Sequence, residues 1–442
     1  MLDLRYRTLL SVAVPLMAAT FIQSVVMITD SSFLSRFDIA SYDAAGNGGL
    51  IYIALFVAIA GMNEGVQIIM ARRIGEGQHH ELSSIFSSAL FLNVILATLL
   101  FLGIQFVVPS IIHGAARSSE LATLETTFTR IRGLGFFPAI ISAAINAYFY
   151  ARGKTGIVLI YAVLMAGTNI FLDYALIYGE LGFPQWGLEG AGYASVYAES
   201  IGTLFLIYLL VLHNRKSRGV RFAFREIAME NIGRILKLGS PILLQGIVAL
   251  STWTVFFFWV EQIGEYELTV SQNIRALYFL AFVPIWGFSA TTKTYISQYL
   301  GNKDEASIRI IIQRIQLMTF ASLLLLFHGV FFYPEAFINI VNKNPIYLED
   351  SAALLRFLYG SMLIYGLSNV FLATISGSGN THITFLIELV AVTLYLIFAY
   401  LFIKVWEYDI YWVWSVEYIY FASTGLLSIV YLSFFNWKQK VV

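Results

Sequence analysis

Long apolar stretches separated by short polar turns recur along the whole chain. They fall near residues 8–34, 46–72, 82–112, 120–151, 155–178, 188–212, 231–260, 265–300, 303–333, 347–377, 380–404 and 408–437. As a helix, each is long enough to cross the ~30 Å hydrocarbon core of a bilayer. The pattern predicts an all-α membrane protein of twelve transmembrane helices. Arg5 and Arg7 precede the first run as they would in a signal peptide. That run continues to about Leu34 without a small-residue cleavage site, so it reads as the first span.

Composition supports this pattern. Of 442 residues, 58% are hydrophobic and 12% charged, about half the ~25% charged content of soluble domains. Such a surface needs lipid as its partner. Lys plus Arg and Asp plus Glu both number 27, so no net field points to nucleic acid. The absence of cysteine excludes disulfides, thiolate metal sites and a cysteine nucleophile.

Orientation follows from where the basic residues lie. With the N-terminus placed in the cytoplasm, seventeen Lys and Arg residues sort to that side: Arg5, Arg7, Arg72, Arg73, Arg152, Lys154, Arg215, Lys216, Arg218, Arg221, Arg225, Arg234, Lys237, Lys303, Arg309, Lys438 and Lys440. Only Arg36, Arg117, Lys343 and Lys404 sort to the other. The bias places both termini in the cytoplasm and supports an even number of spans.

A single gap-free shift of 226 residues pairs Pro15 with Pro241, Asn47 with Asn273, Gly61 with Gly287 and Gly75 with Gly301. It also pairs Arg130 with Arg356, Gly153 with Gly379, Tyr174 with Tyr400 and Trp186 with Trp412. Shared proline and glycine positions imply shared kinks and close helix approaches. The chain therefore divides into a lobe at 1–212 carrying helices 1–6, a basic cytoplasmic linker at 213–230, and a lobe at 231–442 carrying helices 7–12. Six crossings return the chain to its starting side, so the halves share an orientation. A cavity between two such lobes, opened alternately to each side, is a natural geometry for a transporter.

An ionisable group inside a span costs on the order of 3 kcal/mol or more and asks for a partner or a water-filled cavity. Gln23 and Asp30 are seven residues apart on the first span, hence on one face; Asn169 and Asp173 share a face of the fifth; Ser195 and Glu199 share a face of the sixth. By span direction, Asp30, Asn169, Asp173 and Ser195 fall at similar depth in the outer half of the bilayer and can meet in one pocket. The repeat is an internal control: 226 residues on stand Ala249, Phe256, Tyr395, Ala399, Phe421 and Gly425 in place of Gln23, Asp30, Asn169, Asp173, Ser195 and Glu199. Fold alone does not demand the polar set. Two facing carboxylates can hold a proton, or with amide and hydroxyl oxygens they can hold Na⁺; a structural hydrogen-bond network is the third reading.

Other intramembrane groups carry less. Arg130 and Arg356 occupy equivalent positions, which favours a shared structural role such as pairing with backbone carbonyls. Lys293 can snorkel from the inner end of the eighth span. Glu64, Gln67, Glu261, Arg275 and Glu388 stay open between lining a cavity and pairing with one another. His79 and His80 have no further ligand at metal spacing, and His328 is isolated, so no metal site is expected beyond Na⁺ at Asp30, Asn169 and Asp173.

The chain resembles the multidrug and toxic compound extrusion (MATE) family over its whole length. The likeness lies in Pro15 through Gln23 to Met27-Ile28-Thr29-Asp30-Ser31-Ser32-Phe33, in Gly61-Met62-Asn63-Glu64-Gly65-Val66-Gln67, and in Asn169-Ile170-Phe171-Leu172-Asp173-Tyr174. It continues in Gly190-Ala191-Gly192-Tyr193-Ala194-Ser195 and Gly377-Ser378-Gly379-Asn380-Thr381.

The resemblance implies a drug/cation antiporter in the plasma membrane (the inner membrane of a bacterium), driven by H⁺ or Na⁺ and exporting amphipathic, often cationic organic compounds. It matches Asp30, Asn169 and Asp173 to the family's coupling-ion site in the first lobe; Ser195 stands where the family often has threonine. Pro15 matches the helix 1 kink. Gln23, Met27, Gln67 and Glu199 are candidates for the substrate cavity. Some members use acidic residues on helices 7 and 10, where this chain offers Ala249 and Tyr365, so an ion site in the second lobe is not expected. A monomer needing no cofactor is expected. The rival function is a flippase for lipid-linked substrates, which calls for extra spans and a strongly basic cavity. An enzyme would need a compact acid, base, nucleophile or metal motif, and the sequence shows none.

Overall fold

The computed structural model describes residues 2–116, 118–216 and 219–439. Arg117, Arg218 and Lys440, and the side chain of Lys216, all used in the charge sorting, lie outside the described residues. The described chain is helical throughout, without strands. Among the described residues eleven helices are long and apolar enough to span a bilayer, and a bent pair taken as one span makes twelve.

In chain order the spans are α1 (Tyr6–Phe37), α2 (Ile39–Gly75), α3 (His79–Gly114), α4 (Ser119–Gly133 and Phe136–Ala151), α5 (Gly156–Tyr178) and α6 (Gly187–Lys216). They continue as α7 (Met229–Glu261), α8 (Glu265–Gly301), α9 (Ile308–Phe332), α10 (Pro345–Gly377), α11 (Thr381–Val405) and α12 (Ile410–Phe434). The hydrophobic pattern predicts one run at 120–151, whereas α4 bends by 44° around Leu134 and Gly135. Gly133 and Gly135 flank the break, and Pro138 adds no backbone donor just beyond it, the usual chemistry of a sharp bend.

Local signals set the other joints. Asp38 caps α2, accepting from the Ser41 backbone N–H and hydroxyl, both at 2.8 Å. Gly179 ends α5 with φ of +75°, a left-handed cap suited to glycine. At Gly190 a Cβ would lie 2.6 Å from the Leu176 carbonyl oxygen, so α6 crosses α5 at backbone contact.

Two compact units emerge. One comprises residues 18–243, and the other residues 1–17 together with 244–442. Chain order assigns the lobes to 1–212 and 231–442; by contacts, α1 is divided after Met17 and α7 after Leu243. The two divisions are themselves 226 residues apart. In the first unit a Cβ on Gly61 would lie 2.8 Å from Leu243 Cα, and in the second a Cβ on Gly287 would lie 2.6 Å from Met17 Cγ. Equivalent glycines thus receive the equivalent segments.

The repeat extends to polar contacts. Asn47 donates to Glu125 at 2.6 Å, and its counterpart Asn273 donates to Ser351, the counterpart of Glu125, at 3.0 Å. Arg130 donates to the Gln105 carbonyl at 3.1 Å; Arg356 donates to the equivalent carbonyl, of Phe331, at 3.0 Å. These arginines have the shared backbone-pairing role that their equivalence predicts. The stretch assigned as a linker is fastened to α3: Ser83, Ser87 and Ser88 accept from the backbone N–H groups of Arg221, Ala223 and Ala228, and Asn231 donates to Ser84 at 2.9 Å.

Candidate cation-binding site

Within the 18–243 unit, α1, α5 and α6 bring the intramembrane polar residues together. The carboxyls of Asp30 and Asp173 face each other closely enough to interact directly. Asp173 is 0% exposed, and neither of its carboxyl oxygens has a hydrogen-bond partner; Asp30 Oδ1 is buried and likewise unpartnered. One turn before Asp173, Asn169 donates to Ser195 Oγ at 3.4 Å, while Asn169 Oδ1 is buried without a partner. The site therefore presents several buried oxygen acceptors and few donors. Unsatisfied buried acceptors are costly, and a cation or proton between the carboxyls would remove that cost.

Beside the pair lies a basic residue the sequence reading left unassigned. Arg132, on the first part of α4, donates from Nη2 to Glu199 Oε1 at 3.0 Å, and its guanidinium stands 4.1 Å over the Tyr52 ring. The Tyr52 hydroxyl is 3.4 Å from both Glu199 carboxyl oxygens, and the ring stacks on Phe136 at 4.8 Å. Arg132 Nη1 has no partner, and the guanidinium acts electrostatically on both Asp30 and Asp173. A Cβ on Gly135 would lie 2.3 Å from Glu199 Oε2, so the absence of a side chain at residue 135 leaves the space that this carboxylate occupies.

Glu199, a candidate for a substrate cavity, joins the network around the aspartates through Arg132. Gln23 and Met27 are exposed on α1, and Gln67 is buried on α2. Pro15 lies within α1, two residues before the division at Met17. Arg132 and Tyr52 were missed because nothing in the hydrophobic pattern singles out either residue within its span. The available signal was asymmetry: position 358, the counterpart of Arg132, is Leu358.

Among the described residues, eleven to twelve helices able to span a bilayer and a gap-free internal duplication define a polytopic membrane protein. The MatE family model matches residues 15–175 and, 226 positions on, residues 241–401, and the chain belongs to that family. A relative described as probable multidrug resistance protein NorM from Thermotoga maritima is 23% identical over 446 residues, covering 99% of this chain and 94% of the relative. A protein of the same description from Synechococcus sp. is 24% identical over 395 residues, covering 86% and 83%. Among solved structures, the outward-facing conformation of a multidrug resistance MATE family transporter superposes with a TM-score of 0.87 at 19% identity, covering 96% of this chain and 94% of that one.

Proposed function

We propose that the chain is a cation-coupled multidrug antiporter: a proton or Na⁺ bound at Asp30 and Asp173 drives export of amphipathic organic cations. The observation that carries this reading is the facing pair of buried carboxyls with unpartnered oxygens, at positions where the other half of the duplicated fold has Phe256 and Ala399. Family membership and the multidrug descriptions of the relatives support the cargo class. Coupling requires that the ion and the organic substrate favour different conformations, since a ligand shifts an equilibrium only by its differential affinity. Asn169 and Ser195 would complete the ion's oxygen shell, while Arg132, held by Glu199, would compensate the aspartates when the ion leaves. In this reading the protein works as a monomer in the plasma membrane with both termini in the cytoplasm.

The test is efflux of a fluorescent organic cation from proteoliposomes under an imposed pH gradient or an imposed Na⁺ gradient. One gradient should drive wild-type efflux, and Asp30→Asn and Asp173→Asn should each reduce it to the rate of empty vesicles. Efflux indifferent to both gradients and both substitutions would return the pair to a structural role.

A further inference from the structure

The unit formed by residues 1–17 and 244–442 has a polar centre of its own that the duplication does not explain. Glu388 on α11 is 2% exposed and Glu417 on α12 is 0% exposed. Glu388 accepts from the Tyr420 hydroxyl and from Gln245 Nε2, the latter at 3.3 Å. Glu417 Oε1 accepts from the Tyr395 hydroxyl at 3.1 Å, the Trp253 indole also faces this carboxyl, and Glu417 Oε2 is buried without a hydrogen-bond partner. The Tyr395 and Tyr420 rings meet edge-on at 5.9 Å and link the two carboxyls.

This centre adjoins the counterparts of the aspartate site but is built from different positions. Tyr395 is the counterpart of Asn169, and it packs at 5.5 Å against Phe256, the counterpart of Asp30. The counterparts of Glu388 and Glu417 are Ala162 and Ala191. Neither glutamate has an ion-pair partner among the described residues. The titratable groups facing them are phenols, Tyr278 on α8, Tyr365 on α10, Tyr395 on α11 and Tyr420 on α12, while α7 contributes the uncharged Gln245 and Trp253.

We propose that Glu388 and Glu417 form a second proton-binding site, independent of Asp30 and Asp173. The surroundings select a proton over a metal cation. Hard cations need a cage of oxygen ligands, whereas these carboxyls meet the O–H and N–H donors of tyrosine, glutamine and tryptophan. A lone carboxylate shielded from water and without a counter-charge is costly, and one proton on Glu417 Oε2 removes the charge. Proton exchange balances by itself: the carboxylate gains or loses H⁺ to water, with no redox step.

Infrared difference spectroscopy of the full-length protein in detergent, titrated between about pH 4 and 9 to bracket carboxyl ionisation, tests this directly. In the Asp30→Asn/Asp173→Asn background a pH-dependent carbonyl band of protonated carboxyls should remain. It should lose amplitude on adding Glu388→Gln and again on adding Glu417→Gln. Tyr395→Phe, which leaves the acid in place but removes its donor, should shift the frequency of the Glu417 component without loss of amplitude. An unchanged band after both glutamates are replaced in monodisperse protein would overturn the proposal. If the glutamine variants do not fold, absence of a frequency shift in Tyr395→Phe overturns it equally. The readout is independent of transport, so failure of the Asp30 and Asp173 reading would leave it standing.

Discussion

Glu199 keeps its place because residue 135 has no side chain. Its Oε2 sits where a Cβ would project, and its other oxygen holds Arg132 at 3.0 Å. Gly135→Ala should push the carboxylate away, leaving the guanidinium without its partner beside Asp30 and Asp173. Removing one member of a largely buried pair costs about 3 kcal/mol before discounting for partial exposure. With the two side chains 12% and 17% exposed, a loss of roughly 1–3 kcal/mol is expected on that basis. Chemical denaturation in detergent measures it; stability equal to wild type would show that the pair is not needed. The aspartates were legible in the sequence because a carboxylate in an apolar span is conspicuous and its periodicity assigns a face. Arg132 was not, since its contact with Glu199 depends on the bend at residue 134, which the hydrophobic pattern does not encode.

Helices here approach one another where the sequence places glycine, and the repeat identifies which glycines matter. Gly61→Ala would drive a Cβ into the Leu243 backbone, while Gly46 has nothing within 4 Å of the equivalent atom. Gly61→Ala should destabilise the protein by about 1–3 kcal/mol, and Gly46→Ala should be neutral or stabilising by up to about 1 kcal/mol. Thermal melts of the two single variants decide it, and equal melting temperatures would remove the close-approach argument. At the joint between α1 and α2, hydrogen bonds from the Ser41 backbone and hydroxyl hold the Asp38 carboxyl below its ordinary range. A group depressed on folding contributes stability at neutral pH that is lost as pH falls through its folded value. Asp38→Asn should therefore flatten the acid limb of a stability–pH profile; an unchanged limb would mean that the cap does not contribute. The span limits were legible within a few residues because length and hydropathy are properties of the stretch itself.

The chain-order halves and the compact units of the folded chain divide the same helices differently, and the hydrophobic pattern has no means of showing it. Periodicity says that α1 and α7 cross the membrane; it does not say which neighbours each end meets. Residues 1–17 and 244–442 form one unit, and 18–243 the other. Fragments 1–216 and 219–442 would each separate segments that belong to one unit. Each fragment expressed alone should be cleaved rapidly by protease, and co-expression should restore the resistance of the intact chain. Resistance of either fragment alone would show that the exchanged ends add little. The duplication itself was fully legible, since one shift serves proline, glycine, asparagine and arginine alike, and the family match falls at the same spacing.

That common spacing also applies to the divisions after Met17 and after Leu243. A single ancestral half with this register, associating with a second copy of itself, would have lent its first seventeen residues to its partner and received the same segment in return: a segment-swapped homodimer. Joining two copies end to end makes the swap intramolecular. Assembly then no longer depends on protomer concentration, and the two copies are free to diverge. This chain bears the marks of that freedom, with aspartates in one copy standing where the other has phenylalanine and alanine, and glutamates in the second standing where the first has alanine.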